Sequence, residues 1–203
     1  EPLAASKVLV RLENETLSIG QRILSQGLQL TVRGQDKIGI IGPNGVGKST
    51  LLAKLHQLLS GKREISLGFM PQDYQETLQL DLSPVEFLSQ TGHKEEIQKI
   101  QSHLASLNFN YPEMHHHIHS LSGGQQGKLL LLNLVLRKPN FLLLDEPTRN
   151  FSPTSQPEIR KLFANYPGGL VTVSHDRRFL KEVCTSIYSL TEHGLEVVDL
   201  QDL

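Results

Sequence analysis

The chain has 203 residues, 38% of them hydrophobic and 20% charged, with a formal net charge of −1. That composition excludes a disordered chain, a collagen-like fibre and an acidic tail, and near-neutral charge argues against a dedicated nucleic-acid binder. The single cysteine, Cys184, excludes an internal disulfide and cannot by itself supply a cysteine-based zinc site.

Residues 7–12 and 23–32 are rich in branched apolar residues that partly alternate, as in strands of a half-buried antiparallel sheet. Residues 37–41 form a short apolar run that meets a glycine-rich turn, the expected end of a buried central strand. Residues 49–59 carry leucines at 51, 52, 55, 58 and 59, one broad helical face. A strand is expected over 64–69, then a helix from Pro84, capped by Ser83, to about Gln90. Ile97, Ile100, Leu104 and Leu107 give 94–107 an amphipathic helical pattern, and Pro112 breaks it. A leucine-rich helix over 124–137 and a buried strand over 141–144 follow. The remainder reads as helix 155–165, strand 170–174, helix 176–184 and strands 186–190 and 195–199. Alternating strands and helices imply a largely parallel α/β sheet, and about 76–137, helical without strands, reads as a helical subdomain inserted in it. The longest apolar stretches, such as Leu129–Leu132, fall far short of the ~20 residues a membrane span needs. The chain opens on Glu1 with no signal peptide. These features lead us to expect a soluble cytoplasmic domain, cut from a longer protein and not inserted in a membrane.

Gly42-Pro43-Asn44-Gly45-Val46-Gly47-Lys48-Ser49 fits G-x-x-x-x-G-K-[ST] between an apolar strand and a helix, the context that motif requires. Glycines let the backbone curl until successive N–H groups point at phosphate oxygens, and the helix beginning near Lys48 adds its positive end. Lys48 is expected on the β- and γ-phosphates, Ser49 on Mg²⁺, and Thr50 completes the cradle. Phe141–Leu144 followed by Asp145 and Glu146 is a buried strand ending in two carboxylates. Such a strand would set Asp145 beside the phosphate loop of the neighbouring strand, holding Mg²⁺ through its water shell. Glu146, one residue on, would polarise an attacking water as general base.

Leu121-Ser122-Gly123-Gly124-Gln125, at the start of a helix, offers N–H and O–H donors to an anion. With the phosphate loop and the Asp145–Glu146 strand end, the sequence resembles the ATP-binding cassette (ABC) ATPase family over nearly its whole length. The resemblance implies one domain over 1–203: a P-loop NTPase core with a mostly parallel sheet, an N-terminal antiparallel β subdomain and the inserted helical subdomain. It implies Mg-ATP as substrate and cofactor. It also implies a second cassette, in the same full-length chain or as a homodimer, so that Ser122 and Gly124, with Gly123 and Gln125, reach nucleotide held by the partner. Gln72 is similar to the family's Q-loop glutamine, which contacts Mg²⁺ and water. His175, after residues 170–174, is similar to the switch histidine that bonds the γ-phosphate and orients Glu146.

Ser174-His175-Asp176-Arg177-Arg178-Phe179-Leu180 resembles the S-H-D-R-x-F-L of the ABC-F branch, soluble proteins that act on the ribosome, some conferring antibiotic resistance. Asp145-Glu146-Pro147-Thr148 opens the D-E-P-T run of that branch. The resemblance therefore implies one half of such a protein, the second cassette, with the ribosome as a partner. Three positions depart from the pattern. Arg149-Asn150-Phe151-Ser152 stands where the family has N-H-L-D, Ile19 stands where an aromatic residue stacks on adenine, and Gln126-Gly127-Lys128 replaces a charged continuation of the signature. Two alternatives stay open: the ATPase subunit of a membrane transporter, and a nucleotide-gated binding module with little turnover. The run His115-His116-His117-Ile118-His119 reads as a solvated loop rather than a metal site, because consecutive histidines cannot all face one ion. Arg177, Arg178 and Lys181 read as an exposed helix face.

Overall fold

A computed structural model of the chain describes residues 1–74 and 77–203. Branched residues open the chain as a long antiparallel hairpin, β1 (Val8–Ile19) and β2 (Arg22–Arg33), turned at Gly20 with φ +57°. Both strands run beyond the ranges expected from hydrophobic pattern. Ladder pairing continues through the polar stretch after Leu12, with register shifts between Leu12 and Leu17 that absorb the loss of alternation.

The main sheet holds β3 (Lys37–Ile41), β4 (Leu67–Met70), β5 (Phe141–Asp145), β6 (Gly169–Val173), β7 (Ser186–Thr191) and β8 (Gly194–Val198). Its order is β4-β5-β6-β3-β7-β8, all parallel except the β7–β8 edge. The chain is thus α/β with a mostly parallel sheet and a separate antiparallel pair, as its sequence implied. One expectation fails: the strand that ends in Asp145 is not the neighbour of β3, because β6 lies between them. Apolar runs identify buried strands but carry no information about which one pairs with which. β4 also begins later than residue 64. The Asn140 side chain takes the Ser66 N–H at 2.8 Å and donates to the Glu64 carbonyl at 3.0 Å, so 64–66 is fastened by an amide and not by the ladder.

Both faces of the sheet are covered, which is why its strands are continuously apolar. Phe141 and Leu143 of β5 pack with α1 (Lys48–Ser60), through Leu51, Leu52, Leu55 and Leu59, and with the β1–β2 hairpin. Leu142 and Leu144 point the other way, into a second core shared with α5 (Gly123–Leu136), α6 (Gln156–Ala164) and α7 (Arg177–Val183). Between β4 and β5 the described residues form helices and no strand: α2 (Pro84–Leu88), α3 (Lys94–Ser106), α4 (Tyr111–His115), a 3₁₀ turn at Ile118–Ser120, and α5. The start of the expected helical subdomain, at residue 76, lies outside the described residues. Short-range caps organise this part. Ser83 accepts from the Glu86 N–H at 3.2 Å, and Asn110 and Glu113 cap each other reciprocally. The histidine run spans the end of α4 and the 3₁₀ turn. Ile118 is buried within it, and no cluster of metal-ligating residues forms there among the described residues.

Candidate nucleotide site

Three adjacent strands deliver the site: β3 ends in the glycine loop, β6 in Ser174-His175, and β5 in Asp145-Glu146. β3 and β5 are two strand spacings apart, about 10 Å. The gap is closed from above, where Ser49 on the first turn of α1 donates to Asp145 Oδ2 at 2.8 Å. The loop itself needs glycine. Gly45 and Gly47 have φ of +81° and +108°, and a Cβ on Gly42 would lie 2.9 Å from the Leu190 carbonyl. The Lys48 ammonium is buried and donates to the carbonyls of Gly42 and Pro43, the latter at 3.0 Å. Burial lowers its pKa, and the charges of Glu146 and then Asp145 oppose that shift.

Asp145 is 6% exposed, and its Oδ1 has no hydrogen-bond partner among the described residues. Burial raises its pKa; the Ser49 hydrogen bond and the charges of Lys48 and Arg149 act the other way. A buried carboxylate oxygen without a partner beside a hydroxyl is a hard, oxygen-only donor set, and it fits Mg²⁺. Glu146 sits in the left-handed region at φ +49°, a conformation that costs a non-glycine residue energy. Its N–H donates to the Val173 carbonyl at 2.8 Å, which fastens the turn to β6. The side chain meets His175 twice: Oε2 accepts from the His175 N–H at 3.3 Å, and Oε1 lies 3.4 Å from His175 Nε2.

These groups line one cavity of about 710 Å³. Of the residues expected in the site, Asn44, Gly45, Gly47, Lys48, Ser49, Thr50, Gln72, Asp145, Glu146 and His175 border it. Gly42, Pro43 and Val46 belong to the same loop, with Val46 turned toward the core beneath it. Ile19, 60% exposed, and Leu24 form an aliphatic wall at its other side. Ser122, Gly123, Gly124 and Gln125 do not border this cavity. They form the tip of α5, where the Ser122 hydroxyl accepts from the Gln125 N–H at 3.2 Å and the Gln125 amide returns to the Ser122 N–H. Gln125 also donates to Glu113, so its side chain is already engaged within the fold.

Sequence reasoning missed Leu24, Thr148, Asp176 and Gln156, which also border the cavity. Asp176 caps α7 through the Phe179 N–H at 3.0 Å and accepts from Thr148 Oγ1 at 3.0 Å, joining the two loops that present Glu146 and His175. An N-cap residue before a helical run was the available signal for Asp176. Leu24 and Gln156 are brought in by tertiary packing alone.

Comparisons with known proteins agree with this geometry. The chain is 31% identical over 205 residues to "Probable ATP-binding protein YheS" of Escherichia coli (strain K12), covering 98% of this chain and 32% of that protein. It is 26% identical over 199 residues to "ABC transporter F family member 2" of Arabidopsis thaliana, covering 94% of this chain and 29% of that protein. It therefore spans about a third of the length of these relatives. The fold is similar to that of the ATP-binding cassette MJ0796, solved as a dimeric post-hydrolysis state bound to ADP and Pi. The TM-score is 0.77 at 20% identity, covering 94% of this chain and 98% of that one. The family model described as ABC transporter matches residues 25–149, more than half of the chain, and includes the phosphate loop, the tip of α5 and the Asp145–Glu146 pair. The chain belongs to the ABC transporter family as one of its ATP-binding cassettes, a class of ATPase that works with ATP and Mg²⁺.

Proposed function

We propose that this chain is a single cassette domain over 1–203, with a helical part at about 76–137, from a cytoplasmic protein of the ABC-F type. It binds Mg-ATP in the 710 Å³ cavity and hydrolyses it to ADP and phosphate when a second cassette closes against it, with the ribosome as the target of the closed pair. The relative named as an ABC transporter F family member, matched over 94% of this chain, supports the branch, and the resemblance of residues 174–180 to that branch is what suggests the ribosomal target. No helix among the described residues is long and apolar enough to cross a membrane.

The observation that carries the reading is the pairing of two acidic groups with different environments. Asp145 is buried against Ser49 with one oxygen unpartnered, while Glu146 is turned into the cavity against His175. Ser49 and Asp145 would hold Mg²⁺, with Gln72 exposed at the border of the same cavity. When bound, the ion neutralises phosphate charge and orients the terminal phosphate. Lys48 leaves the Gly42 and Pro43 carbonyls for the β- and γ-phosphates, exchanging two neutral acceptors for charged ones. The loop N–H groups take the remaining phosphate oxygens. The Glu146 carboxylate accepts the proton of the attacking water as the new P–O bond forms and the bond to ADP breaks. His175 keeps that carboxylate oriented and donates to the terminal phosphate. Ile19 and Leu24 offer the base an aliphatic surface, which weakens selection among purines.

The test is phosphate release by the parent and by Glu146→Gln, which keeps the shape of the side chain but is not a base. A loss of about 10³-fold with nucleotide affinity retained is expected, and turnover at the parent rate would remove Glu146 from the role. Sedimentation of the full-length Glu146→Gln protein with ribosomes in ATP, and not in ADP, tests the target.

A further inference from the structure

The loop behind Glu146 turns an aromatic ring inward. Phe151 is 5% exposed, and its ring meets α5 at Gly127, where the helix has no side chain. A Cβ on Gly127 would lie 3.1 Å from Phe151 Cζ, 3.1 Å from Tyr74 Cε2 and 3.1 Å from the Tyr74 hydroxyl. Carbon atoms pack at about 3.5–4.0 Å, so a Cβ at residue 127 would push the two rings back by a few tenths of an ångström. Glycine inside a helix is unfavourable relative to alanine, and seating the ring is what offsets it here. The Tyr74 hydroxyl is buried beside the Asn150 side chain with no hydrogen bond of good geometry among the described residues.

Three segments of the candidate site meet in this contact. Tyr74 stands two residues after Gln72, Gly127 one helical turn after Gly123, and Phe151 five residues after Glu146. A second cavity, of about 400 Å³, lies over them and is bordered by Gln72, Gly123, Gln126 and Asn150. The Asn150 carbonyl would be 3.7 Å from a Cβ on Gly124, so the same loop also abuts the tip of α5. Ser152, next in the chain, is bonded within its own turn to Thr154 and Ser155 at 3.0 and 3.1 Å.

We propose that Phe151 is a positioning residue. Seated in the Gly127 notch against Tyr74, it joins the Gln72 loop and the loop behind Glu146 to the tip of α5, so that nucleotide in the main cavity moves or stiffens Ser122–Gly124 with them. This rests on the reading of that cavity as the Mg-ATP site. An apolar wedge carries the coupling because packed rings shift as a body, whereas exposed polar contacts yield individually.

The experiment measures amide hydrogen exchange at residues 121–126 with and without Mg-ATP, beside nucleotide affinity. It uses the parent, Gly127→Ala, Phe151→Ala, and Gly127→Ala with Phe151→Leu. In the parent, nucleotide slows exchange at the tip by about fivefold or more. Gly127→Ala crowds the ring and Phe151→Ala empties the notch; each leaves affinity within about twofold and abolishes the slowing. The double variant relieves the contact with residue 151 while Tyr74 still touches the new methyl, and it restores part of the slowing. A ring that served only stability would lower the melting temperature without separating affinity from exchange at the tip. Slowing that persists in both single variants, or no rescue in the double variant, overturns the proposal. Nucleotide binding by the parent without any change at 121–126 also overturns it and leaves the Mg-ATP reading standing. A parent that binds no nucleotide overturns both.

Discussion

The floor of the nucleotide cavity and the tip of α5 are held by opposite means. Lys48 and Asp145 stand on elements packed on both sides, and the Ser49–Asp145 hydrogen bond joins residues 96 positions apart in the chain. The tip is held by local devices. Ser122 and Gln125 cap each other, Asn110 and Glu113 do the same one helix earlier, and Glu96 fastens the turn before α3 by accepting from Ser89, Thr91 and the N–H groups of Gln90 and Gly92. Non-local packing fixes the cavity against displacement. Local capping keeps the tip folded while leaving it able to move as a unit. The cavity is therefore preorganised by packing across the fold, and the tip by caps within a few residues of it.

The sharpest way to break the contrast is Asp145→Asn. Turnover falls by about 10²–10³-fold, because an amide is a poor ligand for Mg²⁺, and phosphate release measures it. The fold, in contrast, gains. Burial raises the Asp145 pKa, so the folded state holds that proton more tightly than the unfolded chain does. Stability is then lost as pH rises from the ordinary carboxylate value through the raised one. Without Mg²⁺ at neutral pH, Asp145→Asn melts higher than the parent, and the gap closes in acid. Equal melting temperatures at both pH values would remove the buried charge from the cavity's energetics.

At the tip, Ser122→Ala removes one cap and costs about 1 kcal/mol, read from denaturant unfolding. It leaves nucleotide affinity of the isolated cassette unchanged, because Ser122 does not border the cavity. A fall in affinity would show that tip and cavity share residues within one chain. A smaller, local effect belongs to Glu96, whose accepted hydrogen bonds hold its pKa down at about 2. Its contribution is complete above the ordinary glutamate value and is lost as pH falls toward 2. Protection factors for hydrogen exchange at 89–96 therefore fall over that range in the parent but are uniformly low in Glu96→Gln. Least of all, Tyr74→Phe changes stability by under about 0.5 kcal/mol, since the hydroxyl it deletes is buried without a good partner. A large loss in a thermal melt would mean that the Asn150 side chain bonds it.

Much of the site was legible before any coordinates. Glycines at 42, 45 and 47 followed by Lys48 and Ser49 specify a cradle because each residue's role is local: positive φ, exposed N–H groups, the start of a helix. The same holds for the capped tip at Ser122–Gln125 and for a buried strand that ends in Asp145. What pattern could not reach was the extent of the hairpin past Leu12, where pairing overrides polarity, and the wall formed by Leu24. Nor could it place Thr148 against Asp176, 28 positions apart.

The amino-acid sequence by itself determined which segments turn, cap and bury, because those choices are settled within a few residues by backbone sterics and hydrogen-bonding groups. Only the tertiary structure decided that β6 separates β3 from β5, that Ser49 spans the gap to Asp145, and that Phe151 enters the space Gly127 leaves open. All the buried strands carry the same apolar signature, so their order follows from how whole faces pack together, and no single run of residues encodes it.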